Sequence, residues 1–288
     1  MIMLEKSSPS SPFVAAMTTR VERHAAAYAE DITGFLDQPH RLRRTVTERP
    51  LLDTFTRHVE AVVGTYDPPG IRRIGDSLVF GHLYAEALTQ SPDGAAQSVP
   101  VVKLLAALLA AEVEFRGPLR LSRTQKRQLA ENYERLGRRL VAVGLPAHAA
   151  LAFRRANGLY HGDEDTDAED RCGLALSRAR RLAQPVAWRR IGGLFPDLVC
   201  GYGYRPFRML GWIVVQLLVF VVAIATVSNQ ALSVTVYEVM VNYVNPLGPG
   251  DTEGLRAGGR AYFVIECYLG TVTLSVFFAL LVRRWFRL

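Results

Sequence analysis

Residues 209–227 contain no charged side chain over nineteen positions, and this feature constrains the chain more than any other. At about 1.5 Å per residue, a helix of that length nearly crosses a hydrocarbon core of roughly 30 Å. A second apolar stretch, residues 261–282, carries a single charge at Glu266. The sequence therefore predicts an integral membrane protein with two transmembrane helices, and excludes a single soluble domain or a wholly disordered chain.

The distribution of charge agrees with this division. Residues 1–208 hold 29 of the 34 Lys and Arg and 23 of the 27 Asp and Glu, and the last 80 residues hold the other 5 and 4. Arginines precede the first span and follow the second, whereas the loop between the spans has three acidic and two basic residues. The positive-inside rule then predicts a multi-pass protein of the cell membrane with both termini in the cytoplasm. The arginines expected at the membrane interface are Arg189, Arg190, Arg205, Arg208, Arg283, Arg284 and Arg287.

Composition shifts divide the chain into five segments. Residues 1–16 contain SSPSSP and are expected to be disordered, with Met17 as an alternative start. A helical cytoplasmic domain follows at 17–183, then a basic juxtamembrane segment at 184–208, the two-span module at 209–282 and a basic cytoplasmic tail at 283–288.

The cytoplasmic part shows helical periodicity and no strand-like alternation. Apolar residues recur at positions 21, 25, 28, 32 and 35 and again at 52, 55, 59, 62 and 63, and further helices are expected near 74–89 and 101–115. Lys103, Glu112 and Glu114 indicate that the last of these is a core helix and not a third span. The fold class is therefore predicted as all-α.

Residues 129–183 contain small and large residues at regular spacings, and the pattern resembles one tetratricopeptide repeat without its Trp and terminal Pro. Small residues at 137, 149 and 156 would let two antiparallel helices approach closely, with Phe153 between them. The resemblance implies a helical adaptor that binds an unknown cytoplasmic protein. The residues expected in the repeat packing are Tyr133, Leu136, Gly137, Ala149, Phe153 and Ala156.

Between the spans lies a short apolar segment, residues 231–243, which is too short to cross a bilayer and suits a re-entrant or interfacial position. A Gly- and Pro-rich loop leads from it into the second span, which carries Glu266, Gly270, a Phe-rich stretch and terminal arginines. This order resembles the two-transmembrane ion-channel module over about residues 194–288. The resemblance implies a re-entrant pore-loop-like segment and a homo-oligomer, a tetramer if the module is a channel.

The expected filter sequence is missing. Potassium channels coordinate the ion with the carbonyls of a Thr-Val-Gly-Tyr-Gly strand, whereas the corresponding residues 242–248 read NYVNPLG, and Pro246 disfavours a regular carbonyl ladder. The Gly-Tyr-Gly at 201–203 precedes the first span and lies beside Arg205. We therefore predict a module without potassium selectivity. The candidate pore or ion-site residues are Glu238, Asn242, Asn245 and Glu266.

Glu266 has two interpretations at this point. As a structural group it would hydrogen-bond to the re-entrant segment or to Thr271 and Thr273; as a functional group it would form a cation or proton site facing an oligomer axis. Gln216 in the first span is interpreted as a helix–helix contact.

The sequence contains no recognisable catalytic signature. The six histidines are dispersed, and the acids that follow His161 are typical of a solvated helix N-terminus. We therefore expect no enzyme activity, cofactor or metal. The three cysteines lie far apart, which excludes a disulfide scaffold. The net charge of +7 suits the lipid bilayer as partner, and no motif for nucleic acid is present.

Three functions remain open. The first is a bacterial channel-like membrane protein whose helical cytoplasmic domain senses or recruits a partner; the bacterial origin is inferred from 31 Arg against 3 Lys, a bias typical of GC-rich genomes. The second is a membrane-anchored scaffold whose helical repeat domain binds a protein. The third is a membrane enzyme of unfamiliar type.

Overall fold

The fold is all-helical over the residues that the computed structural model describes, which are 12–39, 47–67, 77–88, 100–228, 230–244 and 257–285. The chain divides into two compact units, Met1–Gly193 and Leu194–Leu288. The all-α class is therefore confirmed, while the repeat-like and re-entrant features stay predictions. The boundary between the units lies inside the segment predicted as a basic juxtamembrane linker.

The first unit packs its helices mostly against their neighbours in sequence. Helix α1 contacts α2 and α4, α5 contacts α6, and α6 contacts α7. The helices are α1 (Pro12–Leu36), α2 (Arg49–Val63), α3 (Gly81–Leu88), α4 (Val101–Arg116), α5 (Arg123–Val143), α6 (Pro146–His161), α7 (Thr166–Leu182) and α8 (Ala187–Gly192).

Helix α4 is the centre of this unit. Every residue from 104 to 114 is buried, including both glutamates, because α1, α2, α3 and α5 all pack around it. The prediction of a core helix at this position is confirmed.

Helix α1 begins earlier than the sequence indicated. Residues 12–16, which we expected to be disordered, are helical, and residues 1–11 lie outside the described residues. Pro12 suits a first helical position because its missing N–H has no partner there. The ring of Phe13 packs 5.6 Å from that of Tyr66, and Met17 is buried, so this first turn is held by the core.

The connection between α5 and α6 is tight and locally determined. Ser122 and Gln125 form a reciprocal capping box at the start of α5. Gly144 ends the helix with φ of 94°, a left-handed conformation that glycine adopts without strain, and Pro146 then starts α6. The chain thus reverses direction over a few residues, as a helix pair of the predicted kind requires.

The second unit consists of α9 (Leu194–Cys200), a single 3₁₀ turn at Gly201–Gly203, α10 (Arg208–Ala225), α11 (Leu232–Val244) and α12 (Ala257–Trp285). Two of its helices contain segments long and apolar enough to cross a membrane, Arg208–Ala225 with 18 residues and Gly259–Arg283 with 25. Only 17% and 28% of these segments are buried inside the protein, in contrast to the enclosed α4.

Candidate functional site

The candidate site lies where the short helix α11 meets the two long apolar helices. Its 13 residues extend about 20 Å, less than a hydrocarbon core. Helix α11 contacts both α10 and α12. Val239 joins Phe220, Ile224 and Phe263 in one buried apolar cluster, so all three helices share a core.

A polar contact attaches α11 to α10. The hydroxyl of Tyr243 donates to Oε1 of Gln216 at 2.6 Å, and the hydroxyl of Thr273 on α12 donates to the same oxygen at 3.2 Å. Gln216 therefore links all three helices through one acceptor, in agreement with its interpretation as a helix–helix contact.

A second polar contact attaches α11 to α12. Nδ2 of Asn242 donates to Oε2 of Glu266 at 2.9 Å and to the carbonyl of Phe263 at 2.9 Å. Glu266 is 0% exposed and Asn242 is 1% exposed. Of the partners expected for Glu266, the structure selects the short apolar segment. The hydroxyls of Thr271 and Thr273 instead donate to backbone carbonyls of their own helix, and Thr273 also to Gln216.

Gly270 allows α11 to approach α12 closely at the same level. A Cβ at Gly270 would lie 2.6 Å from the carbonyl oxygen of Tyr243 and 3.2 Å from two of its ring carbons. Since no Cβ tolerates 2.6 Å from a backbone oxygen, the glycine is required for this packing.

The other candidate ion-site residues differ in position. Glu238 lies one helical turn before Asn242, is half-buried, and its Oε2 is enclosed. Asn245 lies outside the described residues. The Gly-Tyr-Gly at 201–203 forms the 3₁₀ turn, with all three residues at positive φ, so it is not an extended filter strand.

The predicted interface arginines contact nearby aromatic rings and carbonyls. The guanidinium of Arg189 lies 5.4 Å from the ring centre of Trp188, and that of Arg283 lies 5.7 Å from Tyr204. Arg190 donates to the carbonyl of Gln184 at 2.6 Å, and Arg208 to that of Asp197 at 3.2 Å. Arg205 follows the 3₁₀ turn, while Arg287 and the side chain of Arg284 lie outside the described residues.

Large apolar side chains accompany these arginines at the surface. Trp188 and Ile191 are exposed in the first unit, and Phe195, Leu198 and Phe207 are exposed in the second. Aromatic and aliphatic groups next to arginines are typical of a membrane interface.

The predicted repeat residues are brought together in the first unit. Two ring atoms of Phe153 lie 2.8 and 2.9 Å from where a Cβ at Gly137 would stand, so the ring occupies the space that the glycine leaves. All six predicted residues are buried: Tyr133, Leu136, Gly137, Ala149, Phe153 and Ala156.

Sequence reasoning missed a set of buried carboxylates in the same unit. Oε1 of Glu112 accepts from Tyr133 at 3.1 Å and from Arg155 at 2.9 Å, and its Oε2 accepts from Arg155 at 3.0 Å and Arg116 at 2.9 Å. Burial, reinforced by the charge of Glu112, raises the pKa of Tyr133. This network joins α4, α5 and α6.

Glu114 connects α4 to the start of α3. Its carboxylate accepts from the backbone N–H groups of Val79 and Phe80 and from the hydroxyl of Tyr84 at 2.9 Å. Burial and the neighbouring carboxylate raise the pKa of Tyr84. The carboxylate of Glu114 thus provides an acceptor for backbone N–H groups at the start of α3 that have no partner inside that helix.

Glu134 lines a polar cleft of about 360 Å³ between α5, α6 and α7. It pairs with Arg138 and Arg171 and accepts from Tyr160 at 3.2 Å. Burial acts to raise the pKa of Glu134, but the hydrogen bond and charge of Arg171 and the charge of Arg138 outweigh it and leave the pKa lowered. Arg127, Glu131, Arg135, Asp165 and Ala168 complete the lining.

Three of the dispersed histidines come together around Tyr28. Its hydroxyl donates to the carbonyl of Leu51 at 2.8 Å and lies 2.6 Å from Nε2 of His148. Nδ1 of His148 lies 3.3 Å from Glu48, and Nδ1 of His24 lies 3.0 Å from that of His58. Burial and the charge of Glu48 raise the pKa of Tyr28.

The acids after His161 have structural partners. Asp163 pairs with Arg123, and Asp165 caps α7 by accepting from the N–H of Ala168 at 3.1 Å. Among the described residues, no group of three or more His, Cys, Asp or Glu is arranged to hold a metal ion.

Comparisons of the chain with family models, curated proteins and solved structures give no match. The function must therefore be inferred from the chemistry of the site itself.

Proposed function

We propose that the chain is a multi-pass protein of the cell membrane in which a channel-like two-span module is joined to a helical cytoplasmic domain that binds a protein partner. The supporting observation is the position of α11, a helix too short to cross a bilayer, seated against both long helices. A helix that ends within the membrane leaves backbone groups without partners. Such a segment is tolerated where protein surrounds it or where it lines a water-filled path.

The polar contacts of α11 support a position within the bilayer. Apolar packing gives little net attraction between helices in lipid, so close glycine contacts and hydrogen bonds fix their association. Helix α11 has both, through Gly270 and through the bonds of Asn242 and Tyr243. In the channel proposal, four copies would place α11 around a central axis.

Conductance tests this proposal. The purified protein, reconstituted in planar bilayers, is expected to carry a cation current that does not strongly prefer potassium over sodium, since Pro246 interrupts the segment where filter carbonyls would be needed. A potassium preference of about tenfold or more would contradict the filterless module. Replacing exposed Ser275 by Ala provides a control, because it removes only a hydroxyl that donates to its own helix.

A second candidate function, a membrane-anchored scaffold, is favoured by a different observation. Glu266 and Asn242 bury their contact inside one chain, which is a stable arrangement for an anchor that needs no pore. A monomer in detergent without current in bilayers would support the scaffold. An oligomer with current would support the channel.

A further inference from the structure

Helix α9 exposes three large apolar side chains and buries its only charged one. Leu194, Phe195 and Leu198 are 51–63% exposed, whereas Asp197 is 9% exposed. A helix at a surface in contact with water normally does the opposite, since its apolar side chains face the core and its charged side chains face the solvent. The exposed side of α9 is therefore suited to apolar surroundings.

The inner side of α9 is attached to the end of the long apolar helices. Val199 joins Met209 of α10 and Phe277 of α12 in a second buried apolar cluster. Exposed apolar side chains continue from this level along α10, beginning with Leu210 and Val214. The exposed side of α9 thus stands where the apolar surface of the first long helix begins.

Three exposed arginines surround the 3₁₀ turn that follows α9. The guanidinium of Arg283 lies against this turn, with Nη1 3.6 Å from the point where a Cβ at Gly203 would stand. Arg205 follows the turn closely, and Arg208 donates to the backbone carbonyl of Asp197 at 3.2 Å. None of the ion pairs formed by the described residues involves these three arginines. This end of the second unit therefore carries exposed positive charge next to exposed apolar side chains.

We propose that α9 and the 3₁₀ turn form a binding site for an anionic phospholipid. Its acyl chains lie against the exposed side of α9, and its headgroup phosphate binds Arg205, Arg208 and Arg283. A guanidinium group matches a phosphate because it donates two parallel hydrogen bonds. Interfacial helices combine apolar side chains with arginines in the same way at the boundary between headgroups and acyl chains. A free phosphate would satisfy the arginines alone, whereas a lipid also covers the apolar side chains.

The inference rests on the proposed membrane location of the second unit and adds a preference for lipid charge, which that location does not require. The two are tested separately. Flotation of the full chain with vesicles of phosphatidylcholine alone measures entry into a neutral bilayer. A chain that does not float refutes both the membrane location and the lipid site. A chain that floats but binds neutral and anionic lipids equally refutes the lipid site alone.

The test of the lipid site is thermal unfolding of the full chain in an uncharged detergent. Three ligands are added in turn: short-chain phosphatidylglycerol, short-chain phosphatidylcholine, and glycerol phosphate, which has a phosphate but no acyl chains. A ligand that binds only the folded state raises Tm with its concentration. We expect phosphatidylglycerol to raise Tm by several degrees, with an apparent affinity about tenfold or more above that of phosphatidylcholine. Glycerol phosphate should leave Tm unchanged.

Variants assign the preference to the arginines. Arg283→Gln and Arg205→Gln should each weaken the apparent affinity for phosphatidylglycerol about fivefold, through loss of one positive charge next to the anionic headgroup. Arg260→Gln is the matched control, because Arg260 is also exposed on α12 but lies about 35 Å from Arg283 along the helix axis. Leu198→Ser should weaken the binding of both lipids. Each rise in Tm is measured against the same variant in detergent alone, so a change in basal stability does not affect it.

Equal affinity for the anionic and the neutral lipid would overturn the proposal. The same conclusion would follow if Arg260→Gln lost as much affinity as Arg283→Gln, since the effect would then reflect the charge of the whole chain. A rise with glycerol phosphate equal to that with phosphatidylglycerol would assign a free phosphate to the arginines and would also refute the lipid site. If Arg283→Gln does not fold, Arg205→Gln decides.

Discussion

Replacing Gly137 by Ala tests how closely α5 and α6 pack. The added Cβ would lie 2.8 Å, 2.9 Å and 3.0 Å from three ring atoms of Phe153, which is 2% exposed and has little room to move. Overpacking of this kind costs about 1–3 kcal/mol, and the higher helix propensity of Ala returns about 1 kcal/mol. Since the enclosed ring stands only 2.8–3.0 Å from the added Cβ, we expect a cost of about 2–3 kcal/mol from overpacking and therefore a net loss of about 1–2 kcal/mol in the free energy of unfolding.

The effect of Gly137→Ala on the free energy of unfolding should change from destabilising to stabilising when the ring of Phe153 is absent. Phe153→Ala alone is expected to cost about 3–5 kcal/mol, because the ring is fully enclosed. In that background Gly137→Ala should stabilise the helix by about 1 kcal/mol, which gives a coupling energy of roughly 2 kcal/mol between the two sites.

Urea unfolding of the Met1–Gly193 unit, followed by far-UV circular dichroism, measures these values. Gly158→Ala is the matched control, since Gly158 is helical and its Cβ would meet no atom within 4 Å; it should gain about 1 kcal/mol. If Gly137→Ala were neutral or stabilising in both backgrounds, the close packing of α5 on α6 would be wrong. A Phe153→Ala loss below about 1 kcal/mol would contradict the burial of the ring.

The remaining predictions concern both units. Deleting 209–288 should release a soluble, mainly helical fragment, and an insoluble fragment or one with a β-type dichroism spectrum would contradict this. Gly270→Ala should lower Tm of the full chain in detergent, since its Cβ meets a backbone oxygen, whereas Gly211→Ala meets no atom within 4 Å and should not. An impermeant thiol reagent should label a single cysteine at 250 in intact cells and leave one at 288 unlabelled; the opposite pattern would refute the topology. Burial and nearby His58 lower the pKa of His24 below 6.5, so its imidazole binds a proton more readily in the unfolded chain than in the folded one. The free energy of unfolding should therefore fall as the pH drops below about 6.5 toward the lower pKa of the folded state. His24→Asn should reduce this fall, and an unchanged urea midpoint profile would contradict the assignment.

Periodicity predicted the helices well because burial follows one face of each. The residues at 21, 25, 28, 32 and 35 that suggested a helix are all buried on one side of α1. The close approach at Gly137 was also visible, since a small residue opposite a large one is a local signal. The start of α1 was missed because its first turn is held by a distant ring, that of Tyr66.

The buried carboxylates could not be predicted in the same way. Glu112 stands 21 residues from Tyr133 and 43 from Arg155, and no spacing rule relates side chains on different helices. The sequence shows a glutamate in an apolar stretch and predicts only that it must find a partner. The same was true of Glu266: the sequence suggested possible hydrogen-bond partners for its carboxyl group but could not show which of them it contacts.

The attachment of α11 has a mechanical consequence. Asn242 and Tyr243 are consecutive, yet one bonds to α12 and the other to α10. In the proposed membrane module, lipid supplies little apolar driving force between helices, so these two bonds and the close contact at Gly270 fix the end of α11. If α10 slides past α12 while both hydrogen bonds are kept, the end of α11 that carries Asn242 and Tyr243 must move as well. In the channel proposal, a filter would follow this end of α11, so we expect a displacement of either long apolar helix to reach that position through Asn242 and Tyr243.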